Sequence, residues 1–299
     1  MRFRTALLGV LLLVVLTAAG CGNVADDLPT VTGEFGKSAT ITLPKADPDG
    51  YSVTTIINGD GEVTRPGDVI SIKYAGVTWP GGEDLGNSFE QDATVSVNTS
   101  TASSSPGLHE ALAGKHVGSR VMVALPQTSQ DETGATISQT VVLAIDILGI
   151  EFRGVSGPVT QAGAGLPLVL GQNGQKPVVT IPKTGPPTEL VSHTLIEGDG
   201  APIKKGDTLV VQYTGVIWRD GTEFDASWNT GAPGSFPIGE NAVISGWDKG
   251  LVGKSIGSRV LLVVPPDDGY GAGGNEQAGI QGTDTLVFVV DLLGVAPTA

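Results

Sequence analysis

Along this chain, short apolar runs alternate with breaks that carry Gly, Pro or Asp, the pattern of strands joined by turns. Thr208–Trp218, Arg259–Val264 and Thr285–Leu293 are such runs, rich in Val, Leu and Ile. Helical periodicity is confined to brief stretches. In Ile244–Leu251 the three- and four-residue spacing puts Ile244, Trp247 and Leu251 on one face, and Gly107–Leu112 is its counterpart nearer the N-terminus. Strands outnumbering one short helix predict an α+β fold, in which an antiparallel sheet packs on that helix.

The pattern occurs twice. Gly59-Asp60-Gly61, Gly67-Asp68 and Tyr74-Ala75-Gly76-Val77-Thr78-Trp79 return as Gly198-Asp199-Gly200, Gly206-Asp207 and Tyr213-Thr214-Gly215-Val216-Ile217-Trp218, a constant offset of 139 positions. Upstream, Leu28-Pro29, Gly33, Gly36 and Leu43-Pro44-Lys45 return as Leu166-Pro167, Gly171, Gly174 and Ile181-Pro182-Lys183. Downstream, Gly118-Ser119-Arg120-Val121 returns as Gly257-Ser258-Arg259-Val260. A period this long means two homologous domains, since solenoid repeats are far shorter. The length of 299 residues agrees, at about 150 residues per domain. The domains are placed at 28–150 and 166–299. Glu151–Gly165, rich in Gly with scattered Ser, Thr and Ala, reads as a short flexible linker.

One apolar run lies outside the repeats. Arg2 and Arg4 precede the apolar stretch Ala6–Leu16, and Thr17-Ala18-Ala19-Gly20 forms a small-residue cleavage zone before Cys21. The run is too short to span a bilayer, which takes about 20 residues, so residues 1–20 read as a signal peptide. Cys21 directly after it resembles the acylated cysteine of a bacterial lipoprotein lipobox; Ala18 departs from the usual Leu. An ordinary secretory signal is the alternative. Cys21 is the sole cysteine, which excludes a disulfide framework and a thiolate metal site. Removing residues 1–20 takes two Arg from the 17 basic residues and none of the 31 acids, deepening the formal charge from −14 to −16. Such a charge excludes nucleic acid as a partner and leaves a lipid as the membrane anchor.

The second repeat carries a family resemblance. Gly198-Asp199-Gly200, Gly206-Asp207, Tyr213-Thr214-Gly215, Phe224-Asp225, Gly239, Val243-Ile244, Gly246-Trp247, Gly250-Leu251, Gly257, Pro265, Tyr270-Gly271-Ala272 and Leu286-Val287-Phe288 resemble, in order, the FKBP-type peptidyl-prolyl cis-trans isomerases. The resemblance implies a curved antiparallel sheet wrapped around one short helix, with an apolar pocket between them. It implies Trp247 as the pocket floor, with Tyr213, Phe224, Phe236, Val243, Ile244, Tyr270, Ile280 and Phe288 as walls. Asp225 is expected as a buried acid in the rim, acting on the substrate carbonyl dipole or fixing Tyr213, and Tyr270 as a donor to the substrate carbonyl. The implied activity is isomerisation of X-Pro bonds in exported polypeptides, without cofactor or metal, with macrolides as a ligand class left open. The rival reading is a non-catalytic chaperone or binding module at the cell surface.

Departures qualify the match. Thr230 stands where the family often has Arg, and Gly234 where an aromatic residue is usual. The first repeat departs further: Phe89-Glu90 in place of the Phe-Asp pair, Leu108 in place of Trp247, and a shortened segment after Pro126 that removes the Tyr-Gly-Ala loop. It also carries the polar low-complexity stretch Val97–Ser105. This copy is expected to keep the fold and lose the site. Two other motifs fail on context. Gly269–Gly274 fits a dinucleotide fingerprint by letter, but Pro265-Pro266 precedes it and no helix follows. Gly253–Gly257 fits a nucleophile elbow but leads into a strand. His109, His116 and His193 lack ligand spacing.

Overall fold

The computed structural model describes residues 28–45, 50–100, 107–130, 136–171 and 173–296. The signal-like segment 1–20, Cys21 and the end of the Val97–Ser105 stretch lie outside the described residues.

The two halves repeat one order of elements. The first has β1 (Thr30–Thr32), β2 (Thr40–Thr42), β3 (Ser52–Ile57), β4 (Val69–Trp79), β5 (Asp84–Asn87), β6 (Val95–Asn98), α1 (Leu108–Leu112), β7 (Arg120–Gln130) and β8 (Thr136–Phe152). The second has β9 (Leu168–Leu170), β10 (Val178–Thr180), β11 (Val191–Ile196), β12 (Thr208–Ile217), β13 (Glu223–Ala226), β14 (Gly234–Pro237), α2 (Ser245–Leu251), β15 (Arg259–Val264) and β16 (Leu286–Val295). Each half builds a six-stranded antiparallel sheet, ordered β3-β7-β8-β4-β5 with β6 on β4, and β11-β15-β16-β12-β13 with β14 on β12. The hairpins β1–β2 and β9–β10 are separate two-stranded sheets.

Burial of both sheet faces explains why the central strands read as unbroken apolar runs. On one face Leu209, Val211 and Ile217 of β12 pack with Trp247 and Leu251 of α2. On the other, Val216, Leu261, Val263, Val287 and Val289 pack under Val169 and Val179 of the hairpin. Every residue of β15 is accordingly buried.

The shared Gly-Ser-Arg-Val signature belongs to this scaffold. Arg259 donates to both carboxylate oxygens of Asp291 at 2.6 and 2.8 Å and reaches the Gln175 carbonyl at 3.3 Å. Arg120 does the same with Asp146 at 2.6 and 2.8 Å and with the carbonyls of Gly33 and Lys37. Each buried ion pair thereby ties the preceding hairpin to its sheet, with the carboxylate gripped by two guanidinium nitrogens as burial of a charge requires. Ser119 and Ser258 accept from Gly59 N and Gly198 N, both at 2.9 Å.

The halves meet in a small apolar layer of Val69, Val155, Ile196, Val210 and Leu293, flanked by Phe152. The segment expected as a flexible linker is laid onto both sides of it. Gly154 N donates to Asp68 Oδ1 at 2.9 Å, and Thr160 N to the Leu195 carbonyl at 2.7 Å. Its Gly154 serves close approach, because a Cβ there would lie 2.7 Å from the Gly67 carbonyl carbon. Among the described residues no helix is long and apolar enough to cross a membrane.

Candidate functional site

An open cavity of about 420 Å³ lies between α2 and the second sheet. Tyr213 of β12, Phe224 and Asp225 of β13, Phe236 of β14 and Phe288 of β16 form its sheet side. Trp247 of α2, Ala242, Val243 and Ile244 before that helix, and Tyr270 from the β15–β16 connection complete the lining.

Local chemistry fixes each wall. Gly246 and Gly250 let α2 settle on β15, since a Cβ on either would come within 2.6 Å of the Val264 or Leu262 side chain. Asp248 accepts from Gly239 N at 2.6 Å and Asn241 N at 2.8 Å, pinning the turn that presents Ala242 to Ile244. Gly215 leaves room for Phe224 and Phe288 to meet edge to face at 5.5 Å. Asp268 accepts from Ser245 Oγ and Lys249 Nζ at 2.6 and 2.5 Å, tethering to α2 the loop that carries Tyr270.

Trp247 is 4% exposed. Its ring meets Tyr213, Phe236 and Phe288 at 5.4, 5.3 and 5.4 Å, with interplanar angles of 85°, 74° and 87°. These edge-to-face contacts hold the indole as a fixed apolar surface. The Tyr213 hydroxyl donates to Asp225 Oδ2 at 2.5 Å. Burial first, and then this bond to a carboxylate, push the Tyr213 phenol well above its ordinary pKa, so it is a proton-holding group throughout the physiological range.

Two expectations change and one residue is added. Asp225 is exposed, where a buried acid was expected, because β13 is the edge strand of its sheet. Ile280 is 4% exposed in the core behind the cavity and is absent from its lining. Ala242 lines the cavity unpredicted, since a lone alanine gives no signal in sequence.

The counterpart of Asp225 in the first half is Gly86, which overturns the expected match of Phe89-Glu90 to Phe224-Asp225. Gly76 pairs with Gly86 as Gly215 pairs with Asp225. Ser88 and Ser227 each accept from the backbone of their Tyr at 2.8 Å, so Phe89 and Glu90 align with Trp228 and Asn229. The loop difference is also resolved. β15 and β16 part beyond Val264↔Leu286, and the chain between them carries Tyr270. β7 and β8 continue pairing to Gln130↔Thr136, so that only positions 131–135 lie between the two strands.

Residues 200–293 match the family described as FKBP-type peptidyl-prolyl cis-trans isomerase. Over 121 residues the chain is 43% identical to an FK506-binding protein of Streptomyces anulatus, covering 40% of this chain and 98% of that protein. Over 119 residues it is 38% identical to a probable FK506-binding protein of Corynebacterium glutamicum, covering 40% and 98%. Among solved structures, the crystal structure of AtFKBP13 aligns at a TM-score of 0.34 and 30% identity, covering 37% of this chain and 96% of that one. The three FKBP domains of wheat FKBP73 align at 0.34 and 18%, covering 83% and 95%.

Proposed function

Because this chain belongs to the FKBP family of peptidyl-prolyl cis-trans isomerases, we propose that the aromatic cavity of its second half binds the proline of an X-Pro segment and catalyses rotation about the preceding amide. The observation that carries this reading is the indole of Trp247, held edge-on by three rings at the base of an open apolar cavity.

The mechanism needs no bond to a heavy atom. Amide resonance opposes rotation with a barrier of about 18–20 kcal/mol. The planar amide is more dipolar than the twisted one, so transfer from water into an apolar cavity raises the ground state more than the transition state. In this reading Trp247 holds the pyrrolidine ring by contact area. In the same reading Tyr270, a lining residue that is 40% exposed, donates to the substrate carbonyl. Asp225 orients the Tyr213 hydroxyl by accepting its proton bond. FK506, after which the relatives are named, and macrolides like it would compete for the same cavity.

Activity is assigned to the domain 166–299. The domain 28–150 is read as a non-catalytic copy, since Leu108 and Gly86 stand where Trp247 and Asp225 act. The test is turnover of a short X-Pro peptide by the full chain and by Trp247→Leu, which borrows the first half's own residue. The variant is expected to fold and to lose roughly tenfold to a hundredfold in kcat/KM, on the order of 1.4–2.8 kcal/mol. Undiminished turnover would move the activity out of this cavity, and none from the parent chain would favour a binding module.

The same proposal places the protein outside the cytoplasm, anchored through an acylated Cys21, with exported polypeptides as its clients; the support is the position of Cys21 after the small-residue zone. Cys21→Ser is expected to shift the protein from the detergent to the aqueous phase on partitioning. Unchanged partitioning would remove the anchor.

A further inference from the structure

Asp225 is the one charged side chain among the residues lining the cavity, and it stands there without a cation. One oxygen, Oδ2, accepts the Tyr213 hydroxyl, while Oδ1 takes no hydrogen bond from a described residue. Its neighbours are different. Glu223, two positions back on the same strand, holds Lys176 at 2.8 Å. Asp220 and Asp284 share Arg219 at 2.9 and 3.0 Å, Asp268 holds Lys249 at 2.5 Å, and Asp291 holds Arg259 at 2.6 Å. Thr230, in the turn after β13, brings no charge and donates its hydroxyl to the Ser227 carbonyl at 2.9 Å. In this half, the cations that stand in ion pairs are committed to carboxylates other than Asp225.

We propose that Asp225 is a specificity residue which favours X-Pro segments in which X is lysine or arginine. The inference rests on the isomerase reading of the cavity. With the pyrrolidine ring against Trp247, the side chain before it is the first to remain outside, at the mouth where Asp225 lies exposed. A cation arriving there meets a carboxylate that has no resident partner to displace, and an anion meets repulsion. Exposed ion pairs are modest, so a discrimination of roughly threefold to tenfold between lysine and glutamate follows from adding the attraction and the repulsion.

The experiment compares kcat/KM of the full chain on three peptides differing only in Lys, Leu or Glu before proline. Lys is expected to exceed Glu by roughly threefold to tenfold at low salt, with the ratio closing toward one near 1 M salt, where the Debye length falls to about 3 Å. Asp225→Asn should bring the low-salt ratio to about one, and Glu83→Gln, the same charge change on the first half, should leave it unaltered. Quenching of tryptophan fluorescence by the same peptides gives the ratio for Asp225→Asn independently of its turnover. Turnover of the Leu peptide reports on the isomerase reading itself, and its absence would sink that reading. Good turnover of the Leu peptide with equal rates for Lys and Glu would overturn the selectivity alone, as would a ratio that survives Asp225→Asn.

Discussion

Trp247 and Leu108 hold corresponding places on α2 and α1, and with Phe236 and Phe288 answered by Val97 and Leu143 the exchange separates a ring-lined cavity from an aliphatic core. The sequence made this residue legible, because two copies of one pattern expose what only one of them keeps. The pairing of Tyr213 with Asp225 was not legible, since it joins residues on two strands whose register the sequence does not state. It has a measurable consequence. The phenol of Tyr213 is held above the ordinary value of about 10, by burial first and by its bond to Asp225 second. A folded-state pKa above the unfolded one means that the associated stability is intact below about pH 10 and is lost as pH rises through the higher value. Alkaline titration of phenolate absorbance should show a late-ionising tyrosine that is missing from Tyr213→Phe. The difference spectrum isolates it from Tyr51, whose pKa is also raised by burial and by Glu110. In Asp225→Asn the same step should move to lower pH; an unmoved step would mean that the carboxylate contributes nothing.

At the scale of elements, the strands followed from the apolar runs almost residue for residue, and α2 from a three- and four-residue spacing that its seven residues could barely display. Its seating is a matter of glycines. A Cβ on Gly246 would lie 2.6 and 2.9 Å from the two methyls of Val264, a β-branched and fully buried side chain that has no free direction in which to turn. Alanine in a helix gains up to about 1 kcal/mol over glycine, but least in the first turn, while overpacking costs about 1–3 kcal/mol. Overpacking wins. Gly246→Ala is expected to lower stability by about 1 kcal/mol or more in urea unfolding and to reduce turnover by displacing Trp247. Equal or higher stability would show that the helix can shift without cost. The contrast between β7–β8 and β15–β16 belongs here too. A shortened segment signals a lost loop, but only the strand register shows that β7 and β8 go on pairing where β15 and β16 have parted.

Across the whole molecule, the second half is joined to the first by backbone contact as well as by apolar side chains. Gly174, in the β9–β10 turn, has φ +69°, and a Cβ there would lie 2.1 Å from the Pro66 carbonyl oxygen of the other half. Gly174→Ala is therefore expected to destabilise the full chain, with a Tm lower by several degrees, through both the strained backbone and the clash. A Tm unchanged within error would mean that the two halves separate freely at this contact. The docked segment 151–165 has the same implication, and it is the reason that activity is best mapped by substitutions in the full chain.

The sequence by itself determined the duplication, the three long apolar strands of the second half, the short helix of each half and the asymmetry that singles out Trp247, while the aromatic set around it came with the family resemblance. These are properties of order along the chain, and an internal copy supplies its own control. Tertiary structure alone decided what lies opposite what. Arg259 and Asp291 are 32 positions apart yet form one buried pair, and Gly86 rather than Glu90 stands in the place of Asp225 because the strand register puts it there. Asp225 is exposed because its strand is the edge of the sheet, and Lys176 is held by Glu223, two positions before it. Side-chain alternation is local and can be read one strand at a time. Strand order and register are set by burying both faces of a sheet at once, and that condition couples residues far apart in the chain.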